Sequence, residues 1–195
     1  MGGGSRARCD RPRRRRLRLD GGGLTGADPY GLGLAPGVNR LAAHNPLWAR
    51  AAEEEIARLR TALGPAALAI EHYGSTSVPG LMAKPIIDLQ IGVADIALGL
   101  DFVDPLTALG YDYAGSQGIP DHHIFGRGAA RTHLAHVVVF GGEQWTKTLR
   151  FRDRLRSDPS VRAAYEALKL DLAARVATRA EYTAGKAAFI ERMSG

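Results

Sequence analysis

The apolar positions change their spacing along the chain, and those changes divide it into elements. Leu47, Trp48, Ala51, Ala52, Glu55, Ile56, Leu59 and Leu63 form a stripe at helical spacing, which predicts an amphipathic helix. Asn45 and Pro46 supply its cap and first-turn proline, and Gly64-Pro65 stop it. Ala67 to Tyr73 and the apolar run Pro85 to Val93 read as strands, joined by a Gly74 to Gly80 turn and a short helical turn over Leu81 to Ala83. A helix is expected over Ile96 to Leu109 and a strand near Tyr111 to Ala114, followed by a polar loop to Pro120. Two further strands, His123 to Phe125 and Thr132 to Phe140, can pair as a hairpin across GRGAAR. The last third switches to three helical segments, Glu143 to Arg156, Pro159 to Val176 and Arg179 to Met193, with Asp158-Pro159 as a cap and N1 pair. Strands in the middle and helices at both ends make the expected class α+β.

Composition alters this picture mainly at the N-terminus. The chain has 195 residues, 45% hydrophobic, and a formal charge of +6. The eight arginines and two aspartates of the first twenty residues account for that whole charge, so the rest is near neutral. A folded body without clustered Lys and Arg does not grip nucleic acid through a broad basic face, which leaves only the arginine arm for that role. The arm lacks apolar periodicity, and the following GGGLTGADPYGLGLAPG is glycine-rich. Residues 1–37 therefore read as a disordered Arg/Gly-rich extension and residues 38–195 as one domain. Asp20 and the glycines interrupt any signal-peptide core, no apolar run is long enough to span a membrane, and the single cysteine, Cys9, excludes an internal disulfide. A cytoplasmic protein is expected.

The chemistry is expected to lie in HYGSTSVPGLMAKPIIDLQIGV, residues 72–93. Gly74 lets the backbone approach a phosphate, and Ser75, with Thr76 and Ser77 behind it, offers hydroxyl and amide donors. A strand carrying Asp88 follows, as a nucleotidyl-transferring site requires: phosphate oxygens on one side and a divalent cation held by carboxylate on the other. Asp88 is thus the candidate ligand for Mg²⁺, and Lys84 the candidate for neutralising phosphate charge; His72 precedes the turn. Side chains alternate along a strand, so the neighbours of Asp88 on its own face are Ile86 and Gln90. Neither is a carboxylate, and the acidic pair of a two-metal site is absent. On Thr132 to Phe140, His133 and His136 have opposite parity and cannot both face one site without a bulge. His136 is the candidate to stand beside Asp88 as metal ligand, general base or hydrogen-bonding group. Arg127 and Arg131 are anion-binding candidates, and Lys169 and Lys186, each one turn from a tyrosine, are candidates to bracket a phosphate.

Three stretches together, GSTSVPGLMAKPIIDLQIGV, RTHLAHVVVFGGEQW, and FRDRLRSDP followed by AYEALKLDLA and EYTAGKAAFI, resemble the GrpB family of the nucleotidyltransferase superfamily over Asn45 to Ile190. The resemblance implies a nucleotidyltransferase-like fold, a short mixed sheet flanked by helices with a helical C-terminal part. It matches Gly74, Ser75 and Asp88 to phosphate and metal positions and His136 to a histidine on the neighbouring strand. It also implies metal-dependent nucleotidyl or phosphoryl transfer to a small molecule, with a nucleotide or phosphorylated metabolite as partner. The alternative is a non-catalytic binding domain like the one fused to some dephospho-CoA kinases. The resemblance further implies that residues 1–37 arise from an upstream start, with Val38 as the alternative initiator.

Overall fold

The structure is a computed structural model that describes residues 29–176 and 178–194, together with Met1. Helix α1, Leu47–Leu63, forms on the predicted stripe and buries Trp48, Ala51, Ala52, Glu55, Leu59 and Leu63. The Asn45 carboxamide oxygen accepts from the Leu47 amide at 3.0 Å, and the left-handed Gly64 ends the helix. Strand β1, Ala69–Tyr73, then runs to a single 3₁₀ turn at Ser75–Ser77 and on to strand β2, Ile87–Val93. The helical turn therefore lies directly after Gly74, not over residues 81–83, where Ala83 bridges Ala42 in extended conformation.

The continuous helix expected over Ile96 to Leu109 is instead a 3₁₀ segment, Ile96–Leu100, and helix α2, Val103–Ala108. Pro105 is the reason: inside a longer helix it would lack a donor and press on the carbonyl four residues back, whereas the first turn of a new helix tolerates it. Strands β3, Tyr111–Tyr113, β4, His123–Arg127, and β5, His133–Val139, complete a five-stranded sheet of order β1-β2-β5-β4-β3. Only β2 and β5 run parallel; the other neighbours are antiparallel, so the sheet is mixed. Helices α3, Glu143–Ser157, α4, Pro159–Arg175, and α5, Arg179–Ser194, close the chain. Asp158 caps α4 by accepting from the amides of Ser160 and Val161 at 3.0 and 3.2 Å.

The central strands sort their side chains by parity. Ile87, Leu89, Ile91 and Val93 of β2, with Ala135 and Val137 of β5, are fully buried in one core with Trp48, Ala52 and Leu59 of α1. Each large aliphatic side chain so buried contributes about 1.5–3 kcal/mol, which fixes the register, since a one-residue slip would exchange the faces. Asp88 and Gln90 consequently point to the opposite face. There α3, α4 and α5 supply a second core of Phe151, Leu155, Val161 and Tyr165 against Val78 and Leu81.

The segment before α1 is packed, which corrects the expected boundary at residue 37. Tyr30 carbonyl accepts from Asn45 Nδ2 and Trp48 Nε1, each at 3.0 Å, while Leu34 is buried and bridges Arg131. The arginine arm and its expected disorder lie outside the described residues. Among the described residues, no helix is long and apolar enough to cross a membrane.

Candidate functional site

A cavity of about 290 Å³ opens between the sheet and the C-terminal helices. Strand ends β1 and β2 bring Tyr73, Gly74, Ser75 and Asp88 to it, β5 brings Leu134 and His136, and α3, α4 and α5 bring Thr148, Arg152, Tyr165 and Lys186 among others. Register explains the convergence. Tyr73 lies opposite Asp88 on the antiparallel β1–β2 pair, and Asp88 and Gln90 lie beside Leu134 and His136 on the parallel β2–β5 pair.

Gly74 is the residue that brings the turn to the carboxylate. Its φ is 71°, and a Cβ there would fall onto the Asp88 side chain, 2.9 Å from the Asp88 Cβ. No side chain fits between the turn and Asp88, and few other residues adopt that backbone. Ser75 faces the cavity beside the Tyr165 phenol, with which its side chain interacts. Burial and then the nearby Asp88 charge push the Tyr73 phenol far above its ordinary range, so it stays protonated. The Tyr73 and His136 rings meet edge to face, centroids 5.6 Å apart. Behind His136 stands His122, its Nε2 2.8 Å from His136 Nδ1. Burial, with a smaller push from His123, lowers the His122 pKa to about 4.

Of the residues predicted from sequence, Gly74, Ser75, Asp88, His136 and Lys186 line this cavity, and the rest stand elsewhere. Lys84 contacts Asn39 Oδ1 at 2.6 Å and lies over the Tyr182 ring, 4.0 Å from its centroid. Thr76 is buried: its hydroxyl donates to Ile86 carbonyl and so accepts from His72 Nε2, which turns both residues away from the cavity. Ser77 donates back to Gly74 carbonyl at 2.7 Å, and its own carbonyl is gripped by Arg156. Lys169 bonds the Met82 carbonyl from a buried position, where desolvation, then the charge of Lys186, lowers its pKa to about 7. Arg131 forms an ion pair with Asp112. His133 points to the α1 side, as its parity requires, and borders a separate cavity of about 500 Å³ with Glu55, Arg58 and Arg127. The charges of that larger space neutralise one another: Arg58 and Arg127 both bond Glu55.

The oxygen donors nearest Asp88 in the sheet are engaged elsewhere. Gln90 shares the face of Asp88, but its Oε1 accepts from Thr148, and Glu71 on the adjoining strand is bonded by Arg152 at 2.8 Å. Among the described residues no group of three or more His, Cys, Asp and Glu could hold an ion. Asp88 alone does not make a two-metal site. Asp88 is the one acidic side chain among the residues that line this cavity.

Arg152, Tyr73, Thr148 and His122 were not foreseen as site residues. Tyr73 ends the predicted strand next to Gly74, and its place was legible; Arg152 and Thr148 depend on how α3 docks, which strand periodicity does not encode.

The GrpB protein family model matches residues 39–195. The chain belongs to the GrpB family. A crystal structure of conserved protein GrpB from Enterococcus faecalis shares 34% identity and a TM-score of 0.73, over 80% of this chain and 94% of that one. The UPF0157 protein YqkA of Bacillus subtilis is 40% identical over 133 residues, which are 68% of this chain and 39% of YqkA. This GrpB-family chain thus spans well under half the length of that relative. A dephospho-CoA kinase of Mycolicibacterium paratuberculosis is 32% identical over 67% of this chain and 38% of its own length.

Proposed function

We propose that the cavity binds the phosphates of a nucleotide or phosphorylated small molecule and serves metal-dependent transfer of a nucleotidyl or phosphoryl group to a small acceptor. The observation that carries this reading is the Gly74-Ser75 turn held against Asp88 in a cavity that Lys186 also lines. Such a turn offers backbone and hydroxyl donors to phosphate oxygens, and Lys186 offsets their charge. Mg²⁺ carried in with those phosphates would take Asp88 as its protein ligand and draw charge from the oxygens around phosphorus. In the transfer, an acceptor oxygen forms the new bond to phosphorus and the bond to the leaving phosphate breaks. The acceptor's hydroxyl proton passes to a carboxylate or to solvent. The helical layer over the cavity, with Phe151, Leu155 and Tyr165, keeps bulk water from competing with the acceptor.

The test is a thermal-shift screen of ATP, GTP, CTP and UTP with and without Mg²⁺, on the wild type and Asp88→Ala, followed by a pyrophosphate-release assay on any binder. A native-state ligand raises the midpoint by mass action. The expected result is an Mg²⁺-dependent rise that Asp88→Ala abolishes. A rise independent of both metal and Asp88 would overturn transfer in favour of the binding-only role suggested by the kinase-fused relatives, and no rise with any nucleotide would reject both.

A further inference from the structure

We propose that His122 is a positioning residue that holds His136 with its proton on Nε2, so that His136 meets the ligand of the cavity as a hydrogen-bond donor. The identity of that ligand as an anion rests on the reading above; the proton's location does not.

Ile124 of β4 pairs with His136 of β5, and the ring of His122, two residues earlier, meets that of His136. The two imidazoles stand nearly perpendicular, centroids 5.0 Å apart, with Nε2 of His122 2.8 Å from Nδ1 of His136. One proton lies between two nitrogens, and its owner follows from the other end of His122. That ring is 5% exposed, and its Nδ1 has no partner among the described residues. If His136 Nδ1 carried the shared proton, neutral His122 would carry its own on Nδ1 and bury an N–H with nothing to receive it. If His122 Nε2 carries it, Nδ1 is a bare acceptor. Orphaned buried donors are rarer than under-satisfied acceptors, which favours the second arrangement. The depressed pKa of His122 agrees with a neutral ring.

The consequence reaches the chemistry. With Nδ1 engaged as acceptor, neutral His136 bears its proton on Nε2. That nitrogen then has no lone pair to offer a metal and does not take a proton from an acceptor hydroxyl. It donates to an anionic oxygen, which removes metal ligand and general base from the roles open to His136.

Nitrogen-15 NMR of histidine-labelled protein tests the assignment directly. The expected spectrum shows a one-bond proton correlation on His122 Nε2, scalar coupling across to His136 Nδ1, and a proton on His136 Nε2. A proton found on His136 Nδ1 overturns the proposal without any variant having to fold. Titration with inorganic phosphate adds the functional arm: the His136 Nε2–H signal moves in the wild type, His122→Phe weakens phosphate binding about tenfold, and His122→Gln, whose amide still donates, recovers part of the loss. Phosphate affinity and a His136 tautomer both unchanged in His122→Phe would also overturn it. If phosphate fails to bind the wild type at all, the anion reading of the cavity falls, while the tautomer measurement still decides the pair.

Discussion

On the α1 face of the sheet, Glu55 is 3% exposed, and its carboxylate accepts from Tyr111 at 3.0 Å, Arg58 at 3.0 Å and Arg127 at 2.8 Å. On the opposite face, Gln90 is 1% exposed with one half of its amide engaged by Thr148 and the other without a partner among the described residues, and His122 Nδ1 is likewise unmatched among them. Both faces bury polar groups; the Glu55 network of the first is closed, although His44 Nδ1, whose ring meets Trp48 of α1, is also buried without a partner among the described residues. A buried polar group without a partner costs about 1–3 kcal/mol, so a fold keeps such groups together where something other than stability requires them. Stability is thus the expected role of the first face and ligand binding the proposed role of the second, although the first borders the larger cavity.

The largest expected effect separates the faces outright. Glu55→Ala removes the acceptor of a buried phenol and two guanidiniums; Arg58 and Arg127 are 45% and 29% exposed and recover water, so the loss is about 2–3 kcal/mol. Urea denaturation should show that loss with nucleotide or phosphate affinity unchanged below the midpoint. Asp88→Asn should do the reverse, abolishing Mg²⁺-dependent binding while stability holds or rises by about 1 kcal/mol, as is common when a functional charge is neutralised. Equal losses of stability in both variants would erase the distinction.

Gly74→Ala tests whether the turn belongs to the second face. It forces a side chain into a backbone region that costs about 1–3 kcal/mol for residues other than glycine, and it presses a methyl group into Asp88. A drop of about 2 kcal/mol in urea should come with loss of ligand binding, whereas loss of stability alone would make the turn structural.

How far the sequence foretold this contrast depends on which interaction sets each position. Parity along one strand is a local property, so it correctly separated His133 from His136 and put Gln90, not a carboxylate, beside Asp88. The α+β class and the three C-terminal helices were legible for the same reason. The partners of Glu55 were not: Arg127 and Tyr111 come from β4 and β3, and their meeting with α1 depends on sheet order. The contacts of Lys84 were not legible, because proximity in sequence to Asp88 does not reveal that it meets Asn39 and the Tyr182 ring. The hydroxyls of Thr76 and Ser77 bond Ile86 and Gly74 carbonyls, a use the sequence did not reveal, because hydroxyls just after a turn serve the turn's own geometry as readily as a ligand. Tyr165 and Phe151 serve twice, packing in the second core and lining the cavity, which helical spacing alone does not reveal.

Acid should weaken both faces together, through a histidine on each. His72 packs on the α1 side and His122 on the cavity side, and burial, the leading cause in each case, lowers their pKa values from 6.5 to about 3 and about 4. Below pH 6.5 the unfolded chain binds these protons and the folded one does not, so stability falls as pH drops from 6.5 toward 4. At pH 5 the effect is about 1–2 kcal/mol per histidine. His122→Phe should flatten roughly half of that slope in pH-dependent urea unfolding; an unchanged slope would mean that His122 charges readily in the fold.

The smallest effect probes the loose end of the second face. Thr148 Oγ1 has one proton and three oxygens around it: Gln90 Oε1, Gln144 carbonyl at 2.8 Å and Trp145 carbonyl at 3.1 Å. Sharing among three acceptors dilutes the bond to Gln90, so Thr148→Val should cost under about 1 kcal/mol, at the low end for a hydrogen bond. Gln90→Leu goes further: it removes a half-satisfied amide and replaces it with apolar volume facing Thr148 of α3, so stability should hold or rise. If the amide is retained for the ligand, the same variant should weaken Mg²⁺-dependent binding even as urea resistance increases. A Gln90→Leu protein that loses stability and keeps its affinity would show that the amide serves packing, and the contrast between the faces would then rest on Asp88 and the histidine pair alone.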